Sequence, residues 1–361
     1  IIDLYTSWGY EFVVPPMLEY LESLLVGAGK TVDLQTFKII DQLSGRLMGI
    51  HADMTPQVAR IDARRLKRSW PTRLCYLETV LHTRPNNFAG SRSPLQLGAE
   101  LYGYEGIAAD IEIIALMLAT LNKMGIPQFH IDVGHVGIYQ GLVQQAQLNA
   151  AQRKQLADAI KRKASAEIKT LLSQWQLPSA LQNQLNALIY LHGDSSILSQ
   201  AHQQLASASF HVRRALEALE QLQVHFSSVP LYFDLSESRG YSYHTGLVFA
   251  AYVPKHGQAI AKGGRYDDLG EAFLGYRRPA TGFSANLITL MSLLPAASER
   301  VQAIFAPAHT DEALSELINQ LRQQGHIVIQ GLPQQQGDAR TMGCAQEIRF
   351  QHNQWQVVEL S

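Results

Sequence analysis

Apolar and alternating stretches predict that strands and helices are mixed along this chain. Two runs, Arg73–His82 and Pro94–Tyr104, are joined by a polar loop that contains glycine, which is typical of a large antiparallel hairpin. An apolar segment over Ala108–Met124 predicts a buried helix, and Gln128–Val133 predicts a strand.

The residues before the hairpin are expected to form short elements. The pattern predicts the end of a helix over Ile1–Trp8 and a strand over Tyr10–Val14, which two prolines stop because proline has no N–H to donate to a ladder. Thr55 followed by Pro56 is a favourable helix start, and that helix is expected to run to about Leu66. A further helix and two short strands are predicted over Met17–Leu25, Thr36–Ile40 and Arg46–Gly49.

The middle of the chain changes character. Ala, Gln, Leu and Lys dominate Gln145–Gln223, glycine is almost missing and helical periodicity takes over, so we expect an all-helical segment. A helix is then predicted over Thr281–Leu294, after a turn at Gly282-Phe283. Three strands are predicted between these helical parts, over Pro230–Leu235, Tyr243–Tyr252 and Gln258–Gly264.

The last part of the chain carries its own strand, helix, strand pattern. Val301–Pro307 predicts a strand, Asp311–Gln324 a helix that Gly325 would cap, and His326–Gln330 a second strand. Glu347–Phe350 and Trp355–Leu360 could pair as a hairpin. We therefore expect a body over 1–145 and 224–297, a helical insertion over 146–223 and a small α/β domain over 298–361.

Composition narrows the class of partner. The 361 residues are 46% hydrophobic and 17% charged, with a formal net charge of -1, so the basic excess typical of an RNA-binding protein is missing. Two distant cysteines give neither a disulfide framework nor a metal-ligand spacing. No apolar run reaches the roughly 18 residues that a membrane span needs. We expect a cytoplasmic protein without metal, cofactor, nucleic acid or membrane, and no signal peptide is visible. Because the first residue is Ile1 and not Met, and the sequence starts inside an element, we also expect a missing N-terminal piece.

Five stretches with candidate chemistry occur in a fixed order: GIHADMTPQVARIDA, RLCYLETVLHTRPNNFAGSRSPLQLGAELYG, SRGYSYHTGLVFAAY, GGRYDDL and PATGFSANLITL. In that order they resemble the amino-acid-contacting segment, motif 2, the histidine motif, its glycine-rich strand and motif 3 of the histidyl-tRNA synthetases. The resemblance extends to about residue 295. It implies an α+β protein with a class II aminoacyl-tRNA-synthetase-like fold, in which a mixed and mostly antiparallel sheet is flanked by helices.

Three versions of these stretches are closer to one branch of that family, the regulatory subunits of ATP phosphoribosyltransferase: GRLMGIHADMTPQVARIDA, LQLGAELYG and RGYSYHTGLVFAAY. The resemblance implies a partner, the short-form ATP phosphoribosyltransferase catalytic subunit, and a part in histidine feedback inhibition of the first step of histidine biosynthesis. Gly9–Leu25 matches motif 1, which implies a homodimer core within a hetero-octamer. It also implies that the chain has no catalytic residues of its own.

The residues that would clamp ATP are replaced. Synthetases hold the α-phosphate with one arginine from motif 2 and one from motif 3, because the guanidinium fork matches phosphate. Here His82 stands at the position of the motif 2 arginine. Two residues further on, where the family has an acidic residue, this chain has Arg84 and thus the opposite charge. Ile288 and Thr289 stand where motif 3 has glutamate and arginine. Losing two charge-assisted bonds of about 1.5–3 kcal/mol each would cripple adenylation.

The residues that would bind histidine are largely retained. By resemblance, Asp53, Thr55 and Gln96 hold the ammonium group, with aspartate in place of the family's glutamate. Glu100 can accept an N–H of the imidazole, and Arg239 can pair with the carboxylate. The resemblance therefore makes histidine a candidate ligand.

Aromatic residues complete the expected pocket. Tyr243 and Tyr266 could wall it, and His244 stands where the family usually has a second tyrosine facing the imidazole. Taken alone, Glu100 and Gln96 would more often belong to the solvated face of a half-buried sheet than to a site. It is the order of all five stretches that favours a site.

Two other functions stay open at this stage. An active histidine–tRNA ligase would need both arginines, an anticodon-binding domain and a basic face for tRNA. Another histidine-sensing synthetase paralogue could act on a different partner. The docking face for a catalytic subunit could be the small C-terminal domain or the helical insertion.

Overall fold

The computed structural model describes residues 1–26, 30–85, 91–126, 128–236, 244–294 and 303–360. They fall into two compact units, Ile1–Leu293 and Leu294–Ser361. The first carries a nine-stranded sheet and a three-stranded sheet, and the second carries a four-stranded sheet.

The first unit holds twelve strands within the described residues: β1 (Glu11–Phe12), β2 (Leu18–Tyr20), β3 (Phe37–Ile40), β4 (Leu47–Ile50), β5 (Thr72–Thr79), β6 (Leu95–Tyr102), β7 (His130–His135), β8 (His192–Gly193), β9 (Leu231–Asp234), β10 (Leu247–Tyr252), β11 (Ala261–Arg265) and β12 (Ala280–Asn286). The large sheet has the order β1-β5-β6-β12-β11-β10-β7-β9-β8. Its pairs are antiparallel except β1 with β5 and β7 with β9. The predicted fold class is confirmed.

The helices of the first unit, among the described residues, are α1 (Ile2–Ser7), α2 (Leu21–Leu24), α3 (Lys30–Gln35), α4 (Thr55–Arg60), α5 (Ile107–Lys123), α6 (Val136–Gln145), α7 (Ala150–Lys161), α8 (Ser165–Gln174), α9 (Ser179–Ala187), α10 (Ser196–Gln204), α11 (Phe210–His225), α12 (Glu271–Leu274) and α13 (Leu287–Ser292). A π-helical turn, Ile61–Leu66, continues α4, and a 3-10 turn, Leu188–Tyr190, follows α9. Residues 146–223 hold α7 to α11, together with β8, which pairs with β9 of the large sheet.

The predicted hairpin is confirmed and forms the middle of the large sheet. β5 and β6 pair antiparallel with Leu74 opposite Glu100 and Tyr76 opposite Gly98. Both strands are mostly buried because the hairpin is covered on both faces. Under α4 the core includes Met54, Val58 and Leu74, each fully buried.

Three local predictions were wrong. Met17–Leu25 is not one helix: β2 pairs with β4, and only the four-residue α2 follows. Thr281–Leu294 begins as β12, which fills the gap between β6 and β11, and the helix starts only after Asn286, whose side chain accepts from the Ile288 N–H. Thr55 is the first residue of α4 and not its N-cap, because its hydroxyl is used elsewhere.

Buried ion pairs join distant parts of the first unit. The Arg265 guanidinium lies 2.7 Å from Asp110 and 3.2 Å from Asp267, and all three side chains are buried. Arg278 lies 2.6 Å from Asp62 of the π-helical turn, whose carboxylate is also buried. These pairs fix β11 and the start of β12 against α5 and the end of α4. Removing one partner would leave a buried charge without compensation.

The second unit is a small α/β layer. Its strands β13 (Ile304–Ala306), β14 (Val328–Gln330), β15 (Gln346–Gln351) and β16 (Gln354–Glu359) have the order β14-β13-β15-β16. Helix α14 (Glu312–Gln323) buries Leu314 and Ile318 against one face of this sheet. Asp311 caps α14 at the Ala313 N–H and accepts a hydrogen bond from the indole of Trp355.

Candidate functional site

Four neighbouring strands, β5, β6, β12 and β11, build the floor of the candidate site. Directly paired residues point to the same face, so the register places Glu100, Gly282 and Gly264 side by side across β6, β12 and β11. A Cβ on Gly282 would overlap the Glu100 carboxylate, and one on Gly98 would overlap the Tyr76 hydroxyl. Glycine is therefore required at both positions so that these side chains can lie flat on the sheet.

Glu100 is the centre of a buried hydroxyl network. Its Oε1 accepts from the Thr55 hydroxyl at 2.9 Å and from the Tyr76 hydroxyl at 3.1 Å. Its Oε2 accepts a short hydrogen bond from the Tyr266 hydroxyl. The structure thus brings together Thr55, Glu100 and Tyr266 from three separate sequence motifs.

Burial dominates the electrostatics of Glu100. Only 1% of the residue is exposed, and desolvation raises the pKa of its carboxyl from 4.5 to about 8. The hydroxyls of Tyr266, Thr55 and Tyr76 stabilise the charged form and act against that rise, while the charge of Asp53 adds to it. Below about pH 8 the ligand-free carboxyl is therefore mostly protonated.

Asp53 and Gln96 form the second polar part of the site. The Gln96 amide donates to Asp53 Oδ1 at 3.0 Å, and its carbonyl oxygen accepts from the Met54 N–H at 3.1 Å. Asp53 Oδ2 is buried and has no partner among the described residues. A buried carboxylate oxygen without a partner is suited to accept a charged N–H donor, such as an ammonium group.

His244 lies on the same face of the sheet, next to this network. Its Cδ2 and Nε2 atoms lie 2.9 Å from where a Gly264 Cβ would stand. Burial lowers the pKa of its imidazole to about 4, and the charge of Lys262 acts in the same direction. The ring is therefore neutral at physiological pH. Arg239 and Tyr243, the other two predicted site residues, lie outside the described residues.

The positions expected to clamp phosphate hold no guanidinium. His82 is buried, and its Nε2 lies 2.9 Å from the Ala52 carbonyl oxygen, so that nitrogen is engaged in a backbone hydrogen bond. Ile288 and Thr289 lie in α13, and Ile288 is 53% exposed. Arg92 donates from Nε to the His82 carbonyl oxygen at 3.2 Å, and its guanidinium lies over the Phe37 ring.

Sequence reasoning missed two kinds of residue in this site. The sequence pattern places Tyr76 in a strand and gives it no role, although its position opposite Gly98 and two residues from Leu74 puts it on the Glu100 face. The glycines at 98, 264 and 282 belong to the quoted motifs, but the sequence does not show that they make space for side chains. The pairing register was the signal that could have revealed both.

Among the described residues, no group of three or more His, Cys, Asp or Glu side chains is arranged to hold a metal ion. No helix in the described part of the chain is long and apolar enough to cross a bilayer.

Comparison with known proteins adds independent information. A family model described as histidyl-tRNA synthetase matches residues 1–290, and one described as the C-terminal domain of ATP phosphoribosyltransferase subunit HisZ matches residues 301–358. The chain is 53% identical to an ATP phosphoribosyltransferase regulatory subunit of Thioalkalivibrio sulfidiphilus and 52% identical to one of Pseudomonas fluorescens. Each alignment covers 100% of this chain and 92% of the relative.

A solved structure gives the same picture at the level of the backbone. The crystal structure from Bacillus halodurans described as an ATP phosphoribosyltransferase regulatory subunit/histidyl-tRNA synthetase is 29% identical to this chain, with a TM-score of 0.81. That match covers 95% of this chain and 89% of the other.

Proposed function

Because this chain belongs to the family of ATP phosphoribosyltransferase regulatory subunits, which are not themselves catalytic, we propose that it binds and activates a short-form catalytic subunit and confers inhibition by histidine. The product of that complex is the first intermediate of histidine biosynthesis. The chain acts as the sensor and the partner supplies the glycosyl transfer.

One observation carries this proposal: the described part of the site keeps acceptors for an amino acid, while the two positions that match the ATP-clamping arginines of the synthetases hold His82 and Thr289. Glu100 is a buried carboxyl group on the floor, and the buried carboxyl group of Asp53 is bonded to Gln96 of the same strand. By contrast, His82 is bonded to the backbone, and Thr289 has a neutral side chain too short to hold a phosphate. A site of this kind binds histidine and does not activate it.

The ligand is held at three points in this proposal. Asp53 Oδ2, with Gln96 and Thr55 beside it, accepts from the ammonium group. Glu100 accepts an imidazole N–H, and the hydroxyl of Tyr266 orients that carboxyl. Arg239 pairs with the ligand carboxylate and Tyr243 closes the pocket, as the family resemblance implies.

Exposed apolar side chains support a homodimer core. Along the segment that matches motif 1, Phe12 is 45% exposed, Val14 62% and Leu18 39%. Ile40 of β3 and Leu47 of β4 are also exposed. Contiguous apolar surface is typical of protein interfaces. We propose that these residues meet a second copy, and that the dimers join catalytic subunits in a hetero-octamer.

Feedback then requires that histidine favours one state of the assembly. A coupling free energy of about 1–3 kcal/mol changes the affinity for the partner roughly 5- to 150-fold. The coupling is reciprocal, so binding of the catalytic subunit must change histidine affinity by the same factor.

The experiment mixes the purified chain with its cognate short-form catalytic subunit and measures turnover with and without histidine. We expect the chain to raise turnover and histidine to reverse the gain. In the Glu100→Gln variant, turnover should still rise while inhibition by histidine weakens at least about tenfold, since glutamine cannot release a proton and become the carboxylate that accepts the imidazole N–H. Equal inhibition of both complexes would contradict the assignment of the histidine pocket to this chain.

A further inference from the structure

A cavity lies on the face of the large sheet opposite to the floor. Gly134 and Gly264 face the floor, so the residues that follow them, His135 and Arg265, point to the opposite face. On that face a cavity of about 580 Å³ is lined by the starts of α5 and α6 and by helix α11. Small-molecule sites typically measure roughly 300–1,000 Å³. The sheet separates this cavity from the candidate histidine site.

Two carboxylates and two guanidinium groups form one wall of the cavity. Arg265 pairs with Asp110 at 2.7 Å and with Asp267 at 3.2 Å, and Arg277 lies 3.3 Å from Asp267. The second oxygen of Asp110 is buried and is not reached from the cavity. The charges of this wall therefore compensate one another, and its carboxylates do not exclude an anion.

His135 presents a polar hydrogen to the cavity. Its Nδ1 accepts from the Gly137 N–H at 3.1 Å and caps α6. Burial lowers the pKa of the imidazole to about 4, and the charge of Arg265 acts in the same direction, so the ring is neutral and its hydrogen is on Nε2. That N–H has no acceptor among the described residues, and the ring lines the cavity. An acceptor inside the cavity is therefore favoured.

Further donors line the same cavity. Helix α5 begins there after Gly106, and no side chain caps it, so the N–H groups of its first turn stay available and its dipole favours an anion. Arg214 of α11 lies over the Phe210 ring and makes no ion pair within the described part of the chain. Glu105 and Glu217 also line the cavity, but both are exposed, where water and salt screen their charges. Unpaired donors thus come from β7, α5 and α11.

We propose that this cavity binds a small molecule through its phosphate group. A phosphate offers acceptor oxygens in several directions, which suits donors from three separate elements, whereas a carboxylate has two oxygens in one plane. The His135 Nε2–H, the Arg214 guanidinium and the first turn of α5 hold the phosphate. The rest of the molecule lies along Gln140 and Gln144 of α6. This inference does not rest on the proposed function, because the sheet lies between the two sites.

The experiment titrates the full chain with inorganic phosphate and measures binding by phosphorus NMR, for wild type and three variants. Arg214→Gln removes the charge, and His135→Asn keeps an oxygen that can cap α6 but removes the imidazole N–H. Arg213→Gln is the matched control, because Arg213 donates to the Ala208 carbonyl oxygen and does not line the cavity. We expect phosphate affinity to fall about tenfold or more in the first two variants and to stay unchanged in the control.

Equal affinity in all four proteins, or no binding by wild type, would overturn the inference. Arg214 is exposed, so its variant gives this test even if His135→Asn fails to fold. Displacement of phosphate by an equal concentration of acetate would also overturn it, since the cavity would then favour a carboxylate.

Glu100→Gln separates this cavity from the floor on the other face. The variant should bind phosphate as wild type does, because Glu100 does not line the cavity. Loss of phosphate binding in Glu100→Gln would place the anion on the floor and contradict both this inference and the proposed function. Loss of the effect at Arg214 and His135 alone would overturn this inference and leave the histidine site intact.

Discussion

Replacing Glu100 with glutamine tests the electrostatics at the centre of the site. Glutamine has the same heavy-atom shape, so the floor and the neighbouring hydroxyls keep their places, but the side chain no longer titrates. In the wild type, burial raises the pKa of Glu100 from 4.5 to about 8. At a pH between 4.5 and about 8, Glu100 is therefore protonated in the folded chain and ionised in the unfolded chain.

The sign of the stability change follows from that difference. Proton binding to the folded state makes the contribution of Glu100 fully present below about pH 4.5, and that contribution is lost as the pH rises toward 8. Between about pH 5.5 and 7.5, the wild type should lose on the order of 2 kcal/mol of unfolding free energy more than Glu100→Gln. Any change in the unfolding free energy that the glutamine causes equally at both pH values cancels in this comparison.

The assay is urea unfolding of both proteins at the two pH values, monitored by circular dichroism. The samples contain no histidine. His135 and His244, whose pKa values burial lowers to about 4, titrate equally in both proteins and also cancel. The midpoint of the wild type should fall relative to that of the variant as the pH rises. Parallel pH profiles would refute the claim that Glu100 is a protonated, buried acid.

Three further changes probe the site and the frame around it. Asp53→Asn removes the buried carboxylate oxygen that has no partner among the described residues, so calorimetry should show histidine affinity reduced about 10- to 100-fold; unchanged affinity would exclude Asp53 as the ammonium acceptor. Gly282→Ala places a methyl group on the Glu100 carboxyl, so histidine binding should be lost in a chain that still folds by circular dichroism, and normal binding would contradict the floor geometry. Arg278→Met leaves Asp62 buried and unpaired, which should cost about 3–5 kcal/mol in urea unfolding, whereas a loss under 1 kcal/mol would show that the pair is not needed.

The sequence was most informative where hydrophobic alternation was long and unambiguous. The hairpin of β5 and β6 and the helix α5 lie close to their predicted ranges because each is a long run of one periodicity. The family assignment is also confirmed, since five short stretches in order are more specific than any single one.

Short elements were harder because tertiary pairing decides them. β2 is a three-residue strand only because β4 lies beside it, and β12 contains glycine yet occupies the middle of the sheet because Glu100 needs that space. Neither pairing can be read from a local window. For the same reason the sequence does not reveal Tyr76 as a hydrogen-bond partner of Glu100. That role depends on the pairing register of β5 and β6 across the hairpin.

The roles of the candidate histidine-binding residues stay predictions. The structure brings six of the eight onto one face or around one carboxyl, and Arg239 and Tyr243 fall outside the described residues. That geometry was not available from the sequence, because motifs separated by more than a hundred residues meet only through the sheet.

The proposed site binds an amino acid without activating it. The most direct measurement is ATP–pyrophosphate exchange by the purified chain, at saturating ATP, with and without histidine. We expect no exchange above background under either condition, even where calorimetry shows histidine bound. Histidine-dependent exchange by the pure chain would mean that other side chains hold the phosphates, and the regulatory account would be wrong.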